Sequence, residues 1–138
     1  MNSRPNPFWF LCLSIVIVFL ITLYGLLTQA AWLSMLILGR FPLGNLAIAF
    51  SLTGLSLISL HLATANTLLR YMAWSSFWLT LFWYPIGVVW SGNLVLHFVN
   101  SGEMWKPYSY SVSLYCIFVT IACLTGKILI GEQACQNE

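Results

Sequence analysis

Residues 41–69, FPLGNLAIAFSLTGLSLISLHLATANTLL, run from Arg40 to Arg70 without a charge, and this stretch decides the fold class. An α-helix needs about 20 residues to cross a hydrocarbon core of about 30 Å, so the stretch is long enough to cross once. Three more uncharged intervals flank it, 5–39, 71–102 and 107–126. Their limits are Arg4, Arg40, Arg70, the pair Glu103 and Lys106, and Lys127. Each interval reaches spanning length. The sequence therefore predicts an all-α integral membrane protein: a compact bundle of four transmembrane helices, near 7–27, 43–69, 71–90 or longer, and 108–130.

Composition agrees with this placement. Of 138 residues, 60% are hydrophobic and 6% charged, against about 25% charged in an average soluble domain. That excludes a soluble globular domain, and it excludes intrinsic disorder, which needs low hydrophobicity and high net charge. Five Lys and Arg cannot build the basic face of a nucleic-acid binder. In lipid every backbone group must find a partner within the protein, which leaves helices and closed barrels. Barrel strands alternate apolar and polar residues, whereas these runs are continuously apolar.

Pro5, Pro7, Pro42 and Pro107 fall before or at predicted helix starts, where a missing N–H costs little. The linkers are too short for a second domain, so residues 1–138 form one unit. The apolar run after Arg4 is longer than a signal-peptide core and is expected to remain as an anchor. With four spans, Arg4, Arg70 and Lys127 share one side against Arg40 and Lys106. The positive-inside bias then puts both termini in the cytoplasm, in a plasma membrane.

The first interval is longer than one crossing requires. Residues 30–39 form an extra apolar segment, with only Ser34 interrupting Trp32, Leu33, Met35, Leu36, Ile37 and Leu38. Three readings are open: an extended or tilted first helix, a re-entrant segment, or a surface covered by another subunit.

Within the second span Gly44, Ala47, Ser51, Gly54, His61 and Ala65 recur at spacings of three, four or seven, on one helical face. Thr53, Ser56 and Ser59 widen that face. Small residues let helices approach, and hydroxyls hydrogen-bond across the contact. The face is expected to point into protein, either for helix packing or along a ligand path. Aromatic residues concentrate in the third span and beyond it, where Tyr71, Trp74, Trp78, Trp90, Trp105, Tyr108 and Tyr110 suit headgroup depth. Trp83 and Tyr84 lie deeper, beside Pro85, which is predicted to kink the helix and free the carbonyl of Leu81. A contact of Trp83 and Tyr84 with Thr53 and Ser56 is expected.

His61 and His97 are the only candidate haem ligands. His61 lies nine residues before Arg70, about 13 Å along a helix, and His97 lies 27 residues after it, about 40 Å along a continuous third helix. One haem cannot bridge that gap, so no cofactor is expected. His61 stands out as the one titratable group placed at membrane depth. Cys12, Cys116, Cys123 and Cys135 form no C-x-x-C pair, and Cys116 and Cys123 share a face of the fourth helix. No metal site follows. There is no Asp, and Glu103, Glu132 and Glu138 lie outside every predicted span, so no carboxylate relay or catalytic triad can assemble in the membrane. No catalytic residue is assigned.

Two functions fit these constraints. The favoured one is a non-catalytic accessory or structural subunit packed against a larger membrane-protein partner or another copy of the chain. The alternative is a small transporter or carrier of a neutral or lipid-like solute, and behind it stands a b-type haem membrane anchor with His61 and His97 as ligands.

Overall fold

A computed structural model describes residues 6–39, 41–63, 66–92 and 105–137. Arg4, Arg40, Ala65, His97, Glu103 and Glu138 lie outside the described residues, as does the haem question that depends on His97. The described chain forms four helices: α1 (Pro7–Leu27), α2 (Leu43–Leu62), α3 (Thr67–Ser91) and α4 (Trp105–Gln136). Three are long and apolar enough to cross a membrane: α1, α2 and Pro107–Gln136 of α4. Helix α3 falls outside that set. Its 25 residues, about 37 Å at 1.5 Å each, are long enough, but its Trp, Tyr, Ser and Thr residues lower its hydropathy.

Helix α1 begins at an Asn6 cap, whose side chain accepts from the Phe8 N–H, followed by Pro7 in the first turn. Its end explains the fate of residues 30–39. Gln29 adopts a left-handed φ of 51°, its N–H donates to the Leu26 carbonyl, and the Ala30 N–H donates to Gly25. This Schellman arrangement satisfies the terminal carbonyls and stops the helix. The segment after it does not extend α1. Ala31–Ser34 make one 3-10 turn, and β1 (Leu36–Ile37) pairs antiparallel with β2 (Phe41–Pro42). Leu38 and Gly39 turn the hairpin with φ of 53° and 69°. Part of the segment folds back onto its own chain: the Trp32 ring covers Gly25 so closely that a Cβ there would lie 2.6 Å from it, and Leu33 is buried against Gly44.

The boundary between the second and third helices differs from expectation. Helix α2 ends at Leu62 rather than Leu69, and α3 starts at Thr67 rather than Tyr71. Asn66 causes the shift, since its side chain accepts from the Leu68 N–H at 2.9 Å and caps α3. A charge-based boundary at Arg70 overlooks this neutral cap. His61 stands exposed on the surface of the bundle in the last turn of α2, and its ring lies 4.3 Å from that of Phe8. Helix α4 is longer than the expected 108–130 at both ends. Helix α3 runs through Pro85 and ends at Gly92, which caps it with a φ of 67°.

Helix α2 is the centre of the bundle. It packs against α1, α3 and α4, while α1 and α4 scarcely touch. In its most apolar window 56% is buried, against 17% in α1 and in α4. Ile15 of α1 sits on Gly54 of α2, and Leu69 of α3 on Gly126 of α4. Two apolar clusters fill the interior. One joins Ile15, Leu55, Ile58, Val119 and Cys123, and the other joins Ile48, Leu52, Trp83, Val112 and Cys116. Neighbours in sequence run antiparallel, so the start of α1, the end of α2, the start of α3 and the end of α4 lie at one end. The hairpin and the start of α4 lie at the other.

Candidate functional site

The polar side chains of the interior gather where α2, α3 and α4 meet. Ser51, Ser56 and Ser59 of α2 and Ser76 of α3 are fully buried, and Thr80 of α3 and Ser109 of α4 nearly so. The Ser56 and Thr80 hydroxyl oxygens lie 3.3 Å apart, and those of Ser59 and Thr120 lie 3.0 Å apart. Each of these four also reaches a carbonyl on its own helix, at Thr53, Phe77, Leu55 and Cys116 respectively. A hydroxyl has one proton to give. One member of each pair therefore donates across the interface while the other bonds back to its own helix. Ser76 donates to the Cys116 sulfur at 3.3 Å, and Ser75 pairs with the Tyr115 hydroxyl. In lipid, such bonds and close packing hold helices together, because burying apolar surface gains little there.

The predicted residues take distinct places in this arrangement. Ser51 is buried and donates to the Ala47 carbonyl at 2.6 Å, so that pair lies along one helix. Gly54 serves close packing, since a Cβ there would lie 2.8 Å from Ile15 Cγ2. Trp83 is buried and faces protein, but its partner corrects the expected contact with Thr53 and Ser56. The indole N–H donates to Ser109 Oγ on α4 at 2.8 Å, and Ser56 meets Thr80, one turn before Trp83. The α3 residues that line the core follow one helical face, Ala73, Ser76, Thr80, Trp83 and Gly87. Tyr84 is half-buried to the side, with its ring 6.4 Å from Phe41, and borders a cavity of about 230 Å³ with Asn45 and Ala49. Among the described residues His61 is brought together with Phe8, on α1.

Among the further cavities at the bundle surface, two border the helices long and apolar enough to cross a membrane. One of about 260 Å³ sits at the end carrying Asn66 and Lys127, beside Leu62 and Ile130. The other, about 340 Å³, opens between α1 and α4 over Ile48 of α2. Its lining is almost entirely apolar. Among the described residues no three His, Cys, Asp or Glu side chains come together. Among the described residues the buried hydroxyls of Ser51, Ser56, Ser59, Ser76 and Thr80 are hydrogen-bonded within the protein, while the buried Tyr108 hydroxyl has no partner.

Sequence reasoning found the α2 half of this network and missed its partners, Ser76 and Thr80 on α3 and Ser109 and Thr120 on α4. A signal was present. Ser109, Val112, Cys116, Val119 and Cys123 repeat at alternating spacings of three and four, as a buried helical face does. Aromatic residues elsewhere in α3 obscured the matching pattern there. No protein-family model, curated protein or solved structure matches the chain.

Proposed function

We propose that this chain is a four-span integral membrane protein that acts as a non-catalytic accessory or structural subunit, packed against a larger membrane complex. The hairpin after α1 is the observation that carries the reading. Met35, Leu36 and Leu38 are exposed, Leu38 at 89%, and they project past the end of a helix already long enough to cross the bilayer. Apolar side chains grouped at that level suit a protein partner. The interior adds support, because the α2 hydroxyls that would line a solute path have partners within the protein, Ser56 with Thr80, Ser59 with Thr120, and Ser51 with the Ala47 carbonyl.

In this reading α3 also crosses the membrane, alongside α2, and Pro85 kinks it by clashing with the carbonyl of Leu81. Arg70 and Lys127 stand at the same end of the bundle as the start of α1, as a plasma-membrane protein with both termini in the cytoplasm requires. The test is capture of the tagged chain in mild detergent. A stoichiometric membrane-protein partner is expected, and it should be lost in Leu36→Ser/Leu38→Ser with the bundle still folded. Recovery of a lone chain would overturn the subunit reading. Loss of transport of a neutral solute in Ser51→Ala/His61→Ala would favour the carrier alternative.

A further inference from the structure

We infer that the cavity where the end of α2, the start of α3 and residues 127–131 of α4 meet binds a phosphate group, and that an anionic phospholipid carries it. The inference is independent of the subunit reading, and only the lipid source rests on α2 and α4 crossing the bilayer. The cavity holds about 260 Å³. Leu62, Ala63, Leu69 and Ile130 supply the apolar part of its lining, and Asn66 and Lys127 the polar part.

Charge selects the ligand. Lys127 makes no ion pair among the described residues. Glu132, the next carboxylate along α4, lies five residues on, about 140° around a helix of about 3.6 residues per turn. The end of α2 and the start of α3 both meet the cavity, and their partial charges of about −0.5 and +0.5 offset one another, so the ammonium sets the sign. Asn66 adds a second donor. Its Oδ1 is occupied by the Leu68 N–H at 2.9 Å, while its amide N–H groups make no bond among the described residues. An ammonium and a neutral amide beside an apolar floor suit an anion that offers several acceptor oxygens and carries hydrocarbon. Depth selects the source. The 20 residues of α2 rise about 30 Å, and Lys127 stands 20 residues, again about 30 Å, after Pro107. Both lengths match a hydrocarbon core of about 30 Å, which puts the cavity at the level of the lipid phosphates. Basic pockets between membrane helices take anionic headgroups at that level, and Arg70, one turn after Asn66 on α3, places a second cation there.

The test extracts the full chain in mild detergent from vesicles of equal parts phosphatidylcholine and phosphatidylglycerol, and counts by mass spectrometry the lipid that survives washing. One phosphatidylglycerol per chain is expected, in preference to phosphatidylcholine. Lys127→Gln should cut its retention about tenfold, equivalent to about 1.4 kcal/mol of binding, and Lys127→Arg should keep most of it. Gly131→Phe leaves every charge in place and fills the cavity. Open space surrounds the position its Cβ would take, so the bundle accommodates it, and retention should again fall about tenfold. Lys106→Gln, at the other end of α4, should change nothing. Equilibrium binding of radiolabelled inorganic phosphate to the chain in phosphatidylcholine vesicles separates the two sources. Saturable phosphate binding that is lost in Lys127→Gln and Gly131→Phe, with no phosphatidylglycerol retained, would support the site and overturn the lipid source. Retention that survives Gly131→Phe, or falls equally in Lys106→Gln, would overturn the site in favour of diffuse surface charge. Binding of neither probe would overturn it outright, and a cross-link from Lys127 to a carboxylate of a co-purifying protein would overturn it in favour of a protein occupant. The subunit reading is tested by capture of a partner, so it stands or falls separately from the lipid count.

Discussion

Replacing Trp83 by Phe isolates one bond of the interior. The side chain is 1% exposed, and its indole N–H lies 2.8 Å from Ser109 Oγ, well within the 2.7–3.2 Å range of a good N–H to O bond. Phe keeps most of the ring and removes the donor. Interhelical hydrogen bonds in membranes average about 0.6 kcal/mol and reach about 1.7 kcal/mol. A double-mutant cycle of Trp83→Phe and Ser109→Ala should therefore give a coupling between those figures. Trp83→Ala should cost more, about 3–5 kcal/mol, because it also opens a cavity among Ile48, Leu52, Val112 and Cys116. Trp78→Phe is the control. That ring is half exposed on the opposite face of α3, and its replacement should stay within about 0.5 kcal/mol. Reversible unfolding in mixed micelles of mild and denaturing detergent supplies the free energies. A coupling below about 0.3 kcal/mol, the range in which unconnected sites simply add, would refute the assignment of this bond as an α3–α4 tie.

Other expectations follow from the same contacts. Gly54→Val should destabilise by about 1–3 kcal/mol through overlap with Ile15, and Ile15→Ala should recover part of the loss in the same unfolding assay. Asn66→Ala removes the cap on the Leu68 N–H and should cost about 1 kcal/mol, read by the same unfolding assay. In micelles a maleimide should modify exposed Cys135 readily and reach buried Cys116 and Cys123 only after unfolding. Equal rates at the three thiols would contradict the α4 packing.

The limits of α1 were legible because Pro7 at the start and Thr28 and Gln29 at the end are local signals that the structure uses directly. The end of α2 was not. Charge marked Arg70, but a neutral Asn66 sets the turn, and a single capping residue is weak against a long apolar background. That shift also places His61 in the last turn of α2 rather than in the interior of a longer helix. Residues 30–39 resisted reading for another reason: apolar composition alone cannot distinguish a helix from a short hairpin when Trp32 and Leu33 are held by tertiary contacts. The polar face of α2 was readable from spacing, since Ser51, Gly54, Ser56 and Ser59 all point inwards. Their partners were not, because the meeting of Ser56 with Thr80 and of Trp83 with Ser109 depends on the register between helices. Residue spacing within one helix carries no information about that register.

Whether α3 crosses the membrane decides between a four-span bundle and a three-span one, and side-specific labelling measures it directly. In a cysteine-free background, Thr67→Cys marks the start of α3 and Ser101→Cys marks the stretch between α3 and α4. An impermeant thiol reagent should label Ser101→Cys on intact cells and Thr67→Cys only after the cells are broken. Labelling of both positions from the same side would contradict the four-span account.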